Sequence, residues 1–345
     1  MDEDSLREAL VRRLHERAIV NGSIILPAVP GMLEDYVALC DRVFRGIGVT
    51  FTDEQVDKLR DVIQGQLDAA FTASPRSDIV ITYDSPAGLV VNYHVKAQWT
   101  SVDSAYDLWV STREPPLFGT QPDARVWDLA VNAGDPARSP VLDLGAGTGR
   151  NSLALARRGH PVDAVEVTAG FAESLRTEVR EHSLPVRVFQ RDMFDQGHDL
   201  REDYRLIVLS EVTSDFRSVR QLRQALELAA QHLAPGGQLV MNVFLPRGDY
   251  MPDEAARHMA QQCYSSIFTR DEIDTALAGL PLVLESDVPV SEYESTRQDP
   301  AGWPPTSWYE RWIHGQDVFS LDRDSSPIEY RWLVFTKRAA APPQG

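Results

Sequence analysis

Residues 141–150 read VLDLGAGTGR. Val141, Leu142 and Leu144 make a short apolar run around Asp143, and Gly145, Gly147 and Gly149 follow at alternate positions. A buried strand that exits through glycines lets the backbone approach a small molecule closely, because no Cβ stands in the way. Two phosphate-binding readings of the stretch fail on spacing. A dinucleotide fingerprint needs a glycine three residues after Gly147, where Arg150 stands, and a P-loop needs a Gly-Lys-Ser/Thr that does not follow.

The rhythm around this stretch is an alternation of strands and helices. Upstream, 139–145 reads as a strand; downstream come a helix over 150–160 stopped by Gly159 and Pro161, a strand over 162–167, a helix over 170–182 and a strand over 186–190. A fourth strand covers 204–210, and Val219, Leu222, Leu226, Ala229 and Leu233 mark one face of a helix expected to end at 234–237, APGG. Strands over 238–245, 280–288 and 329–337, with a helix over 268–280, complete the set. Such alternation predicts an α/β fold: a Rossmann-like, doubly wound, seven-stranded, mostly parallel sheet with helices on both faces.

Before residue 120 the pattern is mainly helical. Leu6, Leu10 and Leu14 recur every fourth position, as do apolar residues from Val56 through Leu59, Ile63 and Leu67 to Ala70. Two β-rich runs flank Ser85-Pro86-Ala87-Gly88, the signature of a hairpin. The expected organisation is an accessory region over 1–120, a ligand-binding domain over 121–338 with an aromatic-rich insertion near 289–320, and a disordered tail over 339–345. The accessory region is the surface offered for a homodimer.

Composition narrows the function classes. The 345 residues are 43% hydrophobic, enough for a substantial core. Lys and Arg number 34 against 51 Asp and Glu, a formal net charge of -17. That sign is wrong for neutralising phosphates, so no nucleic-acid partner is expected. Cys40 and Cys263 lie too far apart to suggest a disulfide framework, and with the scattered His94 and His314 they make no recognisable metal site. The start, MDEDSLREALVRRLHERA, is acidic where a signal peptide is basic, and nothing approaches the ~20 apolar residues of a membrane span. The chain reads as cytoplasmic and not membrane-bound.

At VLDLGAGTG the sequence resembles the class I S-adenosylmethionine-dependent methyltransferases, and the resemblance extends over most of 121–338. It includes an acid at the end of the second strand and LAPGGQLVMNVF leading into the fifth. The resemblance implies S-adenosylmethionine as cofactor. It implies that Asp143 and the backbone of Gly145, Ala146 and Gly147 hold the amino-acid end, that Glu166, followed by Val167, takes both ribose hydroxyls, and that Asp192 accepts from the adenine amino group while Met193 covers the ring. The plain alternatives are a ligand-free tight turn for the glycines, an exposed strand-end acid for Glu166 and a turn or helix cap for Asp192.

Methyl transfer aligns an acceptor with the methyl group and excludes water, and a neutral acceptor also needs a base. Candidates follow the fourth strand in SEVTSDF: Ser210 on the cofactor side, and Glu211 and Asp215 as catalytic groups, with His94 as a further proton acceptor. Glu211 reads equally as a cofactor contact or a helix cap. Arg113, ahead of Pro115 and Pro116 and near Tyr106, Trp109 and Phe118, reads as part of a lid closing over the cofactor's carboxylate or an anionic substrate. Tyr293, Trp303, Trp308, Tyr309 and Trp312 crowd the late insertion, as pocket walls or as packing. The expected function is methyl transfer to a small-molecule oxygen, nitrogen or carbon acceptor. A cyclase-like or regulatory S-adenosylmethionine-binding protein, or a protein methyltransferase, is the alternative.

Overall fold

The computed structural model describes residues 2–15, 17, 19–86, 90–100, 110, 112, 117–195, 199–299 and 302–339. Two compact units divide it: Met1–Ser111 with Asp253–Gln262, and Thr112–Pro252 with Cys263–Gly345. The division falls before the 120/121 boundary expected from the change of rhythm, and a helix from deep in the later sequence joins the first unit.

The first unit begins with α1 (Glu3–His15), β1 (Val20–Pro27), α2 (Leu33–Gly46) and α3 (Asp53–Ala73), followed by β2 (Asp78–Ser85) and β3 (Asn92–Gln98). The strands pair antiparallel in the order β1-β2-β3. Thr52 and Gln55 close a reciprocal capping box at the start of α3. The predicted stripe then buries Leu59, Ile63, Leu67 and Ala70 against Ile79, Ile81, Val95 and Ala97 of the sheet and Phe44 of α2. β1 escapes a periodicity reading because Ile24, Ile25 and Leu26 are consecutive apolar residues, of which Ile25 faces outward. The leucines of α1 differ from expectation too: Leu6, Leu10 and Leu14 are exposed. Their spacing reports helical conformation and says nothing about what covers the face.

The second unit holds α4 (Ala124–Asn132), β4 (Val141–Leu144), α5 (Arg150–Arg158), β5 (Val162–Glu166), α6 (Ala169–Glu181), β6 (Val186–Gln190), β7 (Tyr204–Leu209), α7 (Val219–His232) and β8 (Leu233–Pro246). After α8 (Glu254–Gln262), which belongs to the first unit, come α9 (Arg270–Leu277), β9 (Leu282–Pro289), α10 (Val290–Ser295), α11 (Tyr309–Ile313) and β10 (Ile328–Lys337).

The seven strands lie in the order β6-β5-β4-β7-β8-β10-β9. All neighbours are parallel except β10, which runs antiparallel to β8 and β9. This is the doubly wound α/β architecture the alternation predicts. Leu222, Leu226 and Ala229 of α7 pack on Leu142, Ile207, Leu209 and Met241, while Leu153 and Leu175 of α5 and α6 pack with Ala164 in a second cluster. One boundary differs from expectation. Residues 234–237 are not a helix-ending loop, because β8 starts at Leu233, directly after α7, and pairs there with Tyr204 before its register shifts. No helix among the described residues is long and apolar enough to cross a membrane.

Candidate active site

From β4 the chain steps outward through β5 and β6, then returns to lay β7 and β8 on the other side of β4. The order therefore reverses between β4 and β7, and in open α/β sheets ligands bind beyond the carboxyl ends of the strands at such a point. The glycine turn leaves β4 there, and Ser210 and Glu211 leave β7.

The turn is built for close approach. Gly145 has φ +73°, and a Cβ on it would strike Val212 Cγ2. Its N–H and that of Ala146 donate to the Val165 carbonyl at 2.8 and 3.0 Å. Gly147, at φ +55°, aims its N–H at Glu166 Oε2, 2.8 Å away, and Glu166 Oε1 accepts from Thr168 N–H at 2.7 Å. The buried Glu166 carboxylate thus ties the turn after β4 to the chain leaving β5, beside the exposed Val167. Asp143 is buried under the turn and accepts from Ser152 Oγ at 2.6 Å. Burial pushes its carboxyl up to about 6 against the opposing hydrogen bond. Asp192, exposed after β6, accepts from Phe194 N–H at 2.8 Å in a local Asx turn, and Met193 packs half-buried on the main core.

Beyond β7 the chain takes an unusual course. Glu211 has φ +62°, a left-handed conformation rare for a residue with a side chain. Its N–H donates to Asn242 Oδ1 at 2.7 Å, and its carboxylate accepts from Arg150 at 2.8 Å. The other side of the Arg150 guanidinium meets Asp123 Oδ1 at 2.8 Å. Arg150 is the first residue of α5, where the helix dipole disfavours a cation; the two carboxylates offset that cost. Asp123 also accepts from Ser210 Oγ at 2.7 Å and exchanges two hydrogen bonds of 2.9 Å with Asn151.

Asp123 is free to serve Arg150 because another residue caps its helix. Asp123 stands at the N-cap of α4 without capping it. Instead Glu294 of α10, wholly buried, accepts from Ala124 N–H at 2.7 Å and Arg125 N–H at 3.1 Å, and from Trp332 Nε1 at 2.8 Å and Gln298 Nε2 at 2.7 Å. Burial, reinforced by Asp123, pushes Glu294 up to about 7. Burial likewise pushes Glu211 up to about 7; the Arg150 charge opposes the rise and the Asp123 charge adds to it. The Glu211 side chain, 15% exposed against 7% for Arg150 and 1% for Asp123, is the edge of the cluster that meets solvent.

The structure thus brings Asp143, Gly145, Ala146, Gly147 and Glu166 to one turn, and Ser210 and Glu211 to one ion-pair cluster. Glu211 does not cap the helix that follows, since Ser218 caps α7. Asp215 closes a short 3-10 turn nearby. His94 stands exposed on β3 of the first unit. Arg113, Tyr106, Trp109 and the two prolines of the expected lid lie outside the described residues, as do Ala87 and Gly88 of the expected hairpin and the tail from 340. Sequence reading missed Asp123, Arg150, Asn242 and Glu294 as site residues. Only Arg150 carried a local signal, a cation at the start of a helix entered from a buried turn. Tyr309, seen only as one of many insertion aromatics, is buried, and its hydroxyl has no hydrogen-bond partner among the described residues.

Part of the chain is similar to known proteins. Residues 141–237 match the family described as a methyltransferase domain. Ribosomal RNA small subunit methyltransferase C of Chromohalobacter salexigens is 31% identical over 129 residues, 36% of this chain and 38% of that protein. The chain therefore spans well under half the length of this curated relative. Among solved structures, geranyl diphosphate C-methyltransferase from Streptomyces coelicolor A3(2), with Mg2+, geranyl-S-thiolodiphosphate and S-adenosyl-L-homocysteine, is 17% identical with a TM-score of 0.49, over 62% of this chain and 75% of that one. The cyclase SpnF is 16% identical with a TM-score of 0.47, over 63% and 82%. The glycine turn of β4 thus stands at the head of the stretch, residues 141–237, that is similar to a methyltransferase domain.

Proposed function

We propose that the protein transfers a methyl group from S-adenosylmethionine to a small-molecule acceptor in the cytoplasm. The observation that carries this reading is the adjacency, at the point where strand order reverses, of a glycine turn tied by Glu166 and a mostly buried strand-end acid, Glu211. When bound, the cofactor supplies an electrophilic methyl group on a sulfonium. The residues fit it. Glu166 gives each oxygen one backbone donor and a carboxylate offers about four acceptor sites, which leaves one on each oxygen for a ribose hydroxyl. Asp192 spends one oxygen on Phe194 N–H and keeps capacity for the adenine amino group, with Met193 beside the ring. Asp143 holds Ser152 and so the start of α5, leaving the turn to receive the amino-acid end. Glu211 accepts the acceptor's proton. The charge of -17 favours a small molecule over an RNA, although the curated relative is named for ribosomal RNA.

Calorimetry with S-adenosylmethionine, its demethylated product and NAD tests the cofactor assignment. Binding of the first two, with a rise in melting temperature by mass action, is expected. Binding of NAD alone, or of none of the three, overturns it.

A further inference from the structure

Asp123 occupies the N-cap position of α4, where an aspartate ordinarily accepts from the second or third N–H of its helix. Its carboxylate is engaged elsewhere. Oδ1 meets Arg150 at 2.8 Å, and Oδ2 accepts from Asn151 Nδ2 at 2.9 Å and Ser210 Oγ at 2.7 Å. The N–H groups of Ala124 and Arg125 are met instead by Glu294, from the insertion after β9. Both oxygens of Glu294 are fully used: Oε2 accepts from Ala124 N–H and Gln298 Nε2, and Oε1 from Arg125 N–H and Trp332 Nε1. A carboxylate offers about four acceptor sites, so none is spare. Glu294 is fully buried and Asp123 is 1% exposed, so a donor lost from either carboxylate goes to another protein group or stays unmatched.

The two carboxylates therefore stand in exchange. Were Glu294 to release the start of α4, Asp123 is the acid already in place to cap it, and Arg150 would be left to Glu211, whose Oε1 it holds at 2.8 Å. We propose that Glu294 is a positioning residue for the Glu211 carboxylate, acting through the start of α4, Asp123 and Arg150. This rests on the reading in which Glu211 takes the acceptor's proton, and adds the residue that sets how readily it does so. The ionisable groups in electrostatic reach of Glu211 are Arg150 of α5, Asp123 ahead of α4, Glu294 of α10, Tyr309 of α11 and Tyr330 of β10, with Asp215 acting on Tyr330. Burial, and next the charge of Glu211, hold both phenols well above their ordinary range, so they stay neutral and leave one cation and two acids to decide. With Asp123 on Arg150, Glu211 shares its cation and has a second acid beside it, both of which favour its protonated form. With Asp123 on α4, Glu211 has the cation to itself. Loss of Glu294 also removes a negative charge that favours the same proton, so every contribution has one sign.

The titration of Glu211 itself tests this, with no cofactor or acceptor needed. In protein carrying a carbon-13 label at the glutamate carboxyl, the magnetic resonance signal that is absent from Glu211→Gln belongs to Glu211. Glu294→Gln keeps the side-chain shape and sets an amide NH2 group against two of the four donors. Its melting temperature falls whether Glu294 only caps α4 or also positions Glu211. The Glu211 midpoint separates the two roles: positioning moves it down by about one pH unit, a tenfold loss of proton affinity, and capping alone leaves it in place. Such coupling is reciprocal, so it is also read from the other end. The Trp332 indole N–H, identified by its loss in Trp332→Phe, reports the titration of Glu294, and Glu211→Gln should move that titration down by a similar amount. This second arm stands even where Glu294→Gln does not fold. A Glu211 midpoint that stays or rises in folded Glu294→Gln, or a Trp332 signal unmoved by Glu211→Gln, overturns the proposal and leaves the cofactor assignment standing. Failure of the unsubstituted protein to bind S-adenosylmethionine removes the reading on which the proposal rests and leaves both titrations as they are.

Discussion

Glu166 and Glu211 stand at the ends of β5 and β7, either side of β4, and both are shielded from solvent, yet their surroundings differ in kind. Glu166 is held by backbone: two N–H groups, from Gly147 and Thr168, fix its two oxygens. Glu211 is held by side chains, sharing the Arg150 guanidinium with Asp123 from a left-handed backbone position. Backbone donors carry no net charge and cannot be lost by mutation of a partner. A carboxylate so held is a rigid acceptor, suited to binding. A carboxylate in a buried cluster of one cation and several acids holds its proton more tightly and can exchange it near neutral pH, which suits chemistry.

The largest expected break in this comparison comes from Arg150→Met. It leaves Asp123 and Glu211 facing each other without the intervening cation, and removing one partner of a buried pair costs about 3–5 kcal/mol. Denaturant unfolding should show that loss. A change below about 1 kcal/mol would mean that the cluster is solvated and the pair weak.

Glu211→Gln keeps the shape and removes the basicity. Turnover should fall about 10²-fold or more with cofactor affinity nearly intact. If affinity falls and turnover at saturating cofactor does not, Glu211 belongs with Glu166 as a binding group and the contrast collapses. The same residue carries a pH signature. Its folded-state value of about 7 lies above the 4.5 of an ordinary glutamate, so the folded chain holds this proton more tightly than the unfolded one. Its stabilising contribution is complete below about 4.5 and disappears as pH rises through about 7, and Glu294 adds a contribution of the same sign. Turnover, needing the deprotonated base, rises over the same window. Melting temperature and turnover should therefore move in opposite directions between about pH 5 and 8, and the Glu211→Gln variant should flatten the turnover profile and leave the melting temperature with the Glu294 contribution alone.

The smallest effect is expected at Glu166. Glu166→Ala should weaken S-adenosylmethionine binding by about 1–3 kcal/mol, the range for leaving buried groups unmatched, while maximal turnover changes little. An equal loss in turnover would show that the turn also aligns the reaction.

The legibility of the two sites follows from the same difference. Glu166 was readable because every element that builds its surroundings is local or periodic: an apolar strand, a glycine turn and a strand-end acid at regular spacing. Asp192 makes with Phe194 the Asx turn that its residue type alone would suggest. Glu211 could be named from its place after a strand, but its role stayed open among base, cofactor contact and helix cap. Asp123 looked like an ordinary residue ahead of a helix, and its side chain has another task only because Glu294, some 170 residues away, caps that helix in its place. β1 was hidden by three consecutive apolar residues, and the exposed leucines of α1 show the converse, a clear period with no partner.

What the sequence by itself determined is therefore the doubly wound sheet, its order of strands and helices and the glycine turn that heads a methyltransferase domain, because hydrophobic period, turn residues and strand-exit glycines act over a few neighbours at a time. Tertiary structure alone decided which acids share Arg150, which atoms of Asn242 and Tyr309 are left without partners and which helix is capped from afar. Those choices depend on burial and on groups meeting across tens to 170 residues of chain, where desolvation makes every partner matter and no local pattern records who the partner is.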